Sequence, residues 1–268
     1  GYVEVLGGDT IVQLTFSTTV CPKLLLPAAL SVAKSLDFRR IQLERSNSAS
    51  SPIHEDTSVR MVRERLSSAE IELSGLTIRS LTGRKADSNE RNLAYNLRQI
   101  EWDIHLARAI GTKNIAFCGG VVGPEAFEDL VEGIKSLINR VPDVNMVLIN
   151  KEGSCFNNLG DARVILSEIQ DPRFQIRIDI DEFLASGEDV VEYTAAIGDR
   201  IGEVAIGCGN NFDFEKEYKN ENLINDLFVR LKSLNFKGPV IIQKNSLPIE
   251  ESIDFVRDVR GKIQKLIS

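Results

Sequence analysis

The stretch QIRIDIDEFLASGED, residues 175–189, joins a short β-rich run directly to the start of an acidic helical segment. Asp179 stands at the end of the run, where the strand gives way to the next element. The same order, a short β-rich run and then a longer amphipathic segment, recurs along the whole chain. This alternation favours βα units arranged around a parallel sheet.

About eight candidate strands can be read in this way. We expect them at Ile11 to Phe16, Arg40 to Glu44, Leu76 to Leu81, Asn114 to Phe117, Asn145 to Asn150, Gln175 to Asp179, Glu203 to Ile206 and Pro239 to Gln243. The clearest predicted helix has Leu93, Leu97, Ile100, Ile104 and Ala107 at helical spacing before Gly111. A last helix follows Pro248 and an acidic first turn.

Residues 1–268 are interpreted as one domain of the α/β class, a (β/α)8 TIM barrel. A doubly wound open sheet is the alternative, but it requires a glycine-rich phosphate turn after an early strand. Gly7 and Gly8 precede the first predicted strand and cannot serve. Gly119 and Gly120 follow the fourth, where a phosphate cradle and a simple turn are both open readings.

The composition excludes several classes of protein. Hydrophobic residues make up 43% of the chain and charged residues 26%, as in an ordinary globular protein. The net charge of -7 gives no support for a general affinity for nucleic acid or for anionic membranes. The four cysteines are scattered, which suggests neither a zinc knuckle nor a disulfide framework. Without an apolar run of about 18 residues or a signal sequence, we expect a cytoplasmic protein.

Three segments carry a resemblance to a known family. They are AIGTKNI at 109–115, DIDEFLASGED at 179–189, and the passage from Leu36 to Leu43 that leads into the second strand. In order and spacing they resemble xylose isomerase-like TIM barrels, which include sugar phosphate isomerases and epimerases and endonuclease IV. The resemblance covers almost the whole chain and implies the barrel fold.

The resemblance also implies a divalent metal at the C-terminal mouth of the barrel, held by Glu, Asp, His and Glu after strands five to eight. Carried over by position, these slots fall on Asn150, Asp179, Ala205 and Gln243, and a second-strand glutamate falls on Gln42. Amide oxygens hold a divalent cation far less well than carboxylates do. We therefore expect no tightly bound metal and no other cofactor, with a weak metal near Asp179 left open.

The remaining polar residues at the mouth are candidates for chemistry. The candidate catalytic residues are Asp179, Glu182, Glu152, Glu44 and Lys244, with Lys151 as an alternative electrophile. The candidate substrate-binding residues are Asn150, Gln243, Gln42, His54 and Arg79. The alternative is an internal polar network, with Arg177 paired to Asp179 or Glu44, that stabilises the barrel without any activity.

The leading hypothesis is a sugar isomerase/epimerase-like protein. It would bind a small sugar, keto compound or polyol at the barrel mouth, without the usual metal, as a possible isomerase or lyase. The alternative is a catalytically inactive barrel that acts as a binding or scaffold protein. An endonuclease-like function is disfavoured because the chain has only two histidines. We expect no nucleic acid or membrane partner, and a homodimer is possible.

Overall fold

The chain forms a closed barrel of eight parallel strands. The computed structural model describes residues 13–83, 92–207, 214–216, 223–243 and 249–267. Neighbouring strands pair in chain order, and the last strand closes the barrel by pairing with the first through Phe16 and Ile242. The predicted α/β class and (β/α)8 TIM barrel are thereby confirmed.

The strands are β1 Gln13–Ser17, β2 Arg40–Glu44, β3 Glu72–Thr77, β4 Asn114–Cys118, β5 Asn145–Ile149, β6 Phe174–Asp179, β7 Ile201–Ile206 and β8 Pro239–Ile242. The helices are α1 Leu26–Ser35, α2 Val59–Ala69, α3 Leu93–Ile110, α4 Ala126–Arg140, α5 Leu159–Glu168, α6 Ile180–Ala185, α7 Val190–Ile197, α8 Phe214–Lys216, α9 Leu223–Ser233 and α10 Ile249–Ile267. Among the described helices, none combines the length and the apolar character needed to cross a membrane.

The third strand lies earlier in the chain than the sequence predicts. It spans Glu72–Thr77 instead of Leu76 to Leu81, and Leu81 forms only an isolated bridge to Gly119. The prediction was wrong because Glu72 and Gly75 interrupt the apolar pattern of this strand. A shift in register opposite Ile41 and Gln42 breaks its alternation as well. The other expected strands overlap the observed ones.

The apolar side chains of the strands fall into two separate regions, and β4 and β5 contribute to both. Outward residues such as Ile41 and Leu148 join the large core between the barrel and the helices. Inside the barrel, a small separate cluster contains Ala116, Val147 and Ile149, with Cys118 packed against it. Since successive residues of a strand point to opposite faces, this separation identifies which positions face the lumen.

The helix termini follow from local chemistry. The side chains of Ser58 and Asn92 accept hydrogen bonds from the backbone N–H groups of Met61 and Tyr95, which caps α2 and α3. Gly111 ends α3 in the left-handed conformation, with a φ of 109°. The predicted stripe on α3 is confirmed, since its five apolar residues are all buried.

We predict unequal costs for two valine truncations in helices. Val259 of α10 is fully buried, whereas Val229 of α9 is 68% exposed. Val259→Ala should lower the free energy of unfolding by about 2 kcal/mol through lost burial and a residual cavity. Val229→Ala should change it by less than about 0.5 kcal/mol. Urea unfolding of both variants measures the difference, and equal losses would contradict the described packing of α10.

Candidate functional site

The C-terminal ends of the strands form the mouth of the barrel. In TIM barrels, inward side chains of alternate strands share one layer. The even-numbered strands therefore contribute Glu44, Cys118, Asp179 and Gln243 to the layer at the mouth. A direct contact supports this layer, because Gln243 Nε2 donates a hydrogen bond to Asp179 Oδ2 at 3.2 Å.

Arg177 places a guanidinium group inside the barrel. Its Nε donates a hydrogen bond to Glu203 Oε1 at 2.6 Å, and its Nη1 lies 3.7 Å from Asp179 Oδ2. Its side chain is only 7% exposed. Burial lowers the pKa of Arg177, but Glu203 and Asp179 more than offset this effect, so its pKa lies above the ordinary value. The lumen therefore holds a permanent positive charge.

Asp179 connects this charge to the next helix. Its Oδ1 accepts a hydrogen bond from the backbone N–H of Glu182 at 3.2 Å, which caps α6. Burial raises the pKa of Asp179, and Arg177 and Gln243 offset only part of that rise. Asp179 thus faces Arg177 and accepts hydrogen bonds from a side-chain amide and a backbone N–H.

Two further carboxyl groups near the mouth have perturbed pKa values. Burial raises the pKa of Glu44, an effect that Arg177 partly offsets. Burial also raises the pKa of Glu182, whose Oε2 accepts a hydrogen bond from the backbone N–H of Glu152 at 3.2 Å. Raised carboxyl pKa values bring proton exchange closer to neutral pH, which suits acid–base chemistry.

Two amide side chains of the site are buried with unpaired polar atoms. Gln42 donates through Nε2 to Thr77 Oγ1 at 3.4 Å, whereas its Oε1 has no hydrogen-bond partner among the described residues. Asn150, which is fully buried at the end of β5, lacks described partners for both Oδ1 and Nδ2. Each unpaired buried group costs about 1–3 kcal/mol.

The fifth strand presents Ile149 to the lumen. Ile149 packs inside the barrel with Val147 and Ala116. Because successive residues of a strand point to opposite faces, Asn150 belongs to the face that points away from the lumen. The last inward position of β5 is therefore apolar, next to the buried amide that the sequence assigns to the metal slot.

The described residues do not fit the divalent ion that the resemblance implies. Asp179 is the one carboxylate at the four implied slots, and its carboxylate already faces the guanidinium of Arg177. Ala205 offers no donor atom. In the part of the chain that the structure describes, no group of three or more His, Cys, Asp or Glu side chains could hold a metal. A second cation beside Arg177 would also be repelled.

The structure does not bring the side chain of every candidate residue into this cluster. His54 Nδ1 accepts a hydrogen bond from the backbone N–H of Asp56, within its own loop. The side chain of Glu152 is exposed at the rim, and so is Lys151. Lys244 falls outside the described residues. The roles predicted for these residues stay predictions.

Arg79 also lies apart from the cluster. Its Nε and Nη2 donate hydrogen bonds to the two oxygens of the buried Asp103, at 2.7 and 3.0 Å, and its Nη1 donates to Gln99 at 2.6 Å. Arg45 Nε lies 2.7 Å from Asp103 Oδ1, in an ion pair that is not aligned as a hydrogen bond. These contacts join the end of β3 to α3.

Sequence reasoning missed Glu203, which makes the shortest polar contact described in the lumen. It considered Arg177 only as a partner of Asp179 or Glu44. The spacing in the sequence does indicate that Glu203 faces the lumen. Glu203 stands two residues before Ala205, and residues two apart on a strand share one face. The pairing of Arg177 with Glu203 in the sheet brings the two side chains together.

The barrel, its mouth and the sequence agree on one family. The pattern of the xylose isomerase-like TIM barrel matches residues 30–259, and the chain belongs to this family. No curated protein sequence matches the chain.

Solved structures share the fold at low identity. An L-ribulose 3-epimerase is 11% identical with a TM-score of 0.76, and the match covers 96% of this chain and 94% of the epimerase. A probable 3-DHS dehydratase from Bacillus anthracis is 13% identical with a TM-score of 0.72, covering 93% and 99%. A xylose isomerase-like TIM barrel/4-hydroxyphenylpyruvate dioxygenase fusion protein is 16% identical with a TM-score of 0.73; the match covers 91% of this chain and 41% of the fusion.

We predict that Asp103 is a structural anchor. Asp103→Asn removes the carboxylate that faces Arg79 and Arg45, and it should lower the free energy of unfolding by about 3 kcal/mol. The matched control is Asp254→Asn, because both side chains of the Asp254–Arg257 ion pair are exposed. Exposed ion pairs contribute little to the free energy of unfolding. Urea unfolding tests both variants. A negligible loss for Asp103→Asn would contradict the role of this cluster.

We predict a pH-dependent stabilisation by Glu44→Gln. The pKa of Glu44 is raised above its ordinary 4.5, so the folded state binds more protons than the unfolded chain in the window above that value. Stability of the natural protein should therefore fall as pH rises through this window. Relative to the natural protein, Glu44→Gln should become progressively more stable from pH 4 to 8.

Thermal unfolding at several pH values measures this effect. Glu55→Gln, at an exposed position, is the matched control and should show no such trend. A difference for Glu44→Gln that stays constant over the whole pH range would contradict the proposed environment of Glu44.

Proposed function

We propose that the protein binds a small sugar-like ligand, a keto compound or polyol, at the C-terminal mouth of the barrel. The observation that carries this proposal is the polar cluster at the mouth, where Gln243 Nε2 donates a hydrogen bond to Asp179 Oδ2 at 3.2 Å beside the guanidinium of Arg177. A hydroxyl-rich ligand both donates and accepts hydrogen bonds, so it is suited to a cluster of amide, carboxylate and guanidinium groups.

The proposed chemistry is proton transfer next to a carbonyl group, as in an isomerase, an epimerase or a lyase. Glu44 and Glu182 are the proposed proton carriers, because burial raises the pKa of each. Arg177 supplies a positive charge that could stabilise a developing oxyanion. The epimerase and the probable dehydratase with the same fold support this class by analogy alone.

The proposed site works without a divalent metal. Its donor set is poor, and a fixed guanidinium already neutralises part of its negative charge. The family resemblance implies an ion for such chemistry, whereas here the chain's own residues would bind, orient and exchange protons. No step of the proposal requires another cofactor.

A catalytically inactive barrel that acts as a binding or scaffold protein is the second candidate. The specific observation in its favour is that Asp179 already faces Arg177 and accepts hydrogen bonds from Gln243 and from the backbone N–H of Glu182. A carboxylate with this many partners is also suited to a purely structural role.

We predict saturable, metal-independent binding of a neutral ketose or polyol. Calorimetric titration of a panel of such compounds, against protein dialysed with EDTA, should find a ligand with one site per chain. Gln243→Ala should weaken its affinity about 10-fold, the effect of one lost hydrogen bond of about 1.4 kcal/mol. Asp254→Asn, on the exterior, serves as the control and should leave affinity unchanged.

The outcomes separate the candidates. Turnover of any panel compound would exclude the inactive barrel, and full activity of Glu44→Gln would remove the role proposed for Glu44. Loss of binding with EDTA and recovery with Mn²⁺ would contradict the metal-free site. Absence of binding across the panel would favour the scaffold.

A further inference from the structure

We propose that the protein forms a two-fold symmetric dimer through the outer faces of α3, α4 and α5. Trp102 of each copy would seat in a groove between α4 and α5 of the other copy. The interface lies on the ring of helices that surrounds the barrel, not at its mouth. It therefore goes beyond the proposed function and does not require a ligand.

Helix α3 presents aromatic and basic side chains to solvent. Tyr95, Arg98 and Trp102, which we call the α3 stripe, are spaced i, i+3 and i+7 and share one face of the helix. Tyr95 is 42% exposed and Trp102 is 58% exposed. The guanidinium of Arg98 lies 5.9 Å from the centre of the Tyr95 ring. Tryptophan is highly buried on average, and Trp, Tyr and Arg are enriched among the residues that dominate binding at protein interfaces.

A groove of about 480 Å³ runs between α4 and α5. Its apolar lining consists of Phe127, Val131 and Val164, and Val164 is 50% exposed. Three glutamates and one lysine complete the lining, so the groove carries net negative charge. We call it the acidic groove. Exposed apolar surface with a polar rim is typical of sites where another protein binds.

The three helices are neighbours on the outside of the barrel. Arg140 of α4 pairs with Glu101 of α3 at 2.7 Å. On the other side, Lys135 of α4 pairs with Glu168 of α5 at 3.0 Å. The α3 stripe and the acidic groove therefore belong to one continuous surface, with α4 at its centre.

A two-fold axis through the middle of α4 makes this surface complementary to itself. The axis sets α4 of the two copies antiparallel and places the α3 stripe of each copy over the acidic groove of the other. Trp102 is the tenth of the 18 residues of α3, and Val164 is the sixth of the 10 residues of α5. Both stand near the middle of their helices, so they meet at the same height.

Charge complementarity favours a second copy as the occupant. Glu132 and Lys135 are exposed on either side of the middle of α4. In the antiparallel arrangement, Glu132 of one copy faces Lys135 of the other. The positive charge of Arg98 likewise meets the negative charge of the acidic groove, and opposite charges across an interface favour correct pairing. Because the contact occurs twice, each copy buries its exposed tryptophan.

The test measures the mass of the purified chain in solution. Sedimentation velocity over a dilution series from about 100 to about 0.1 μM should give twice the mass of one chain at the upper end. Trp102 is the only tryptophan in the sequence, so its fluorescence reports on this contact alone. Its emission should shift to longer wavelength as dilution separates the copies and exposes the ring to water.

Two variants test the contact from both sides. Trp102→Ser removes the aromatic ring, and Val164→Asp places a carboxylate in the acidic groove. Each should weaken dimerisation at least about 10-fold, as expected for central interface residues. The matched control is Val229→Asp on α9, where an exposed valine lies outside the interface. It should leave the dimer unchanged, and circular dichroism verifies that all three variants fold.

A mixture of the two variants tests the pairing itself. A heterodimer of Trp102→Ser and Val164→Asp keeps one intact contact, between the tryptophan of the second variant and the groove of the first. The mixture should therefore dimerise more tightly than either variant alone. A mixture no tighter than its components would overturn the pairing of Trp102 with this groove.

Two further results would overturn the proposal. One is the mass of a single chain at every concentration. The other is a dimer that Trp102→Ser and Val164→Asp affect no more than Val229→Asp does. Ligand binding at the mouth is measured separately by calorimetry, so either result would leave the proposed function in place.

Discussion

Arg177 places a buried positive charge in a barrel interior that water reaches poorly. Carboxylates on two neighbouring strands neutralise this charge. Its Nε contacts Glu203 of β7, and its Nη1 faces Asp179 on its own strand. Desolvating each ion costs several kcal/mol, which the pairing offsets only while all partners are present. The loss of a single partner would leave a buried charge uncompensated. The side chains at the centre of the mouth are arranged around this constraint.

This arrangement explains why structure and candidate chemistry are difficult to separate in this protein. Asp179 neutralises the guanidinium, accepts a hydrogen bond from Gln243 and caps α6. The same residue would be close to any ligand bound at the mouth. Glu44, in contrast, makes no hydrogen bond that stabilises a neighbouring element among the described residues, and its pKa is raised by burial. A residue that costs stability without serving a structural contact is a stronger indicator of function than one that serves several.

The sequence was sufficient to predict the barrel, because strand and helix periods alternate clearly and the family motifs follow in order. It failed at β3, where Glu72, Gly75 and a register shift hide the strand from a pattern of apolar residues. At the site, the resemblance assigned Asp179 and Gln243 to neighbouring slots at the mouth, and the structure joins them by a hydrogen bond that was not predicted. Glu203 was overlooked because an ion pair between adjacent strands depends on register, which one sequence does not display. Arg79 could not be placed because its partner, Asp103, comes from a distant helix.

The guanidinium inside the lumen has a consequence for where this protein could operate. A metal ion is acquired from the surroundings, competes with other ions and is lost to chelators, whereas a charge carried by an arginine arises with folding itself. Its strength does not vary with the supply of manganese or magnesium, and no chaperone or transporter has to deliver it. The positive charge that Arg177 places in the lumen is therefore fixed by the amino-acid sequence and does not depend on an ion taken up from the surroundings.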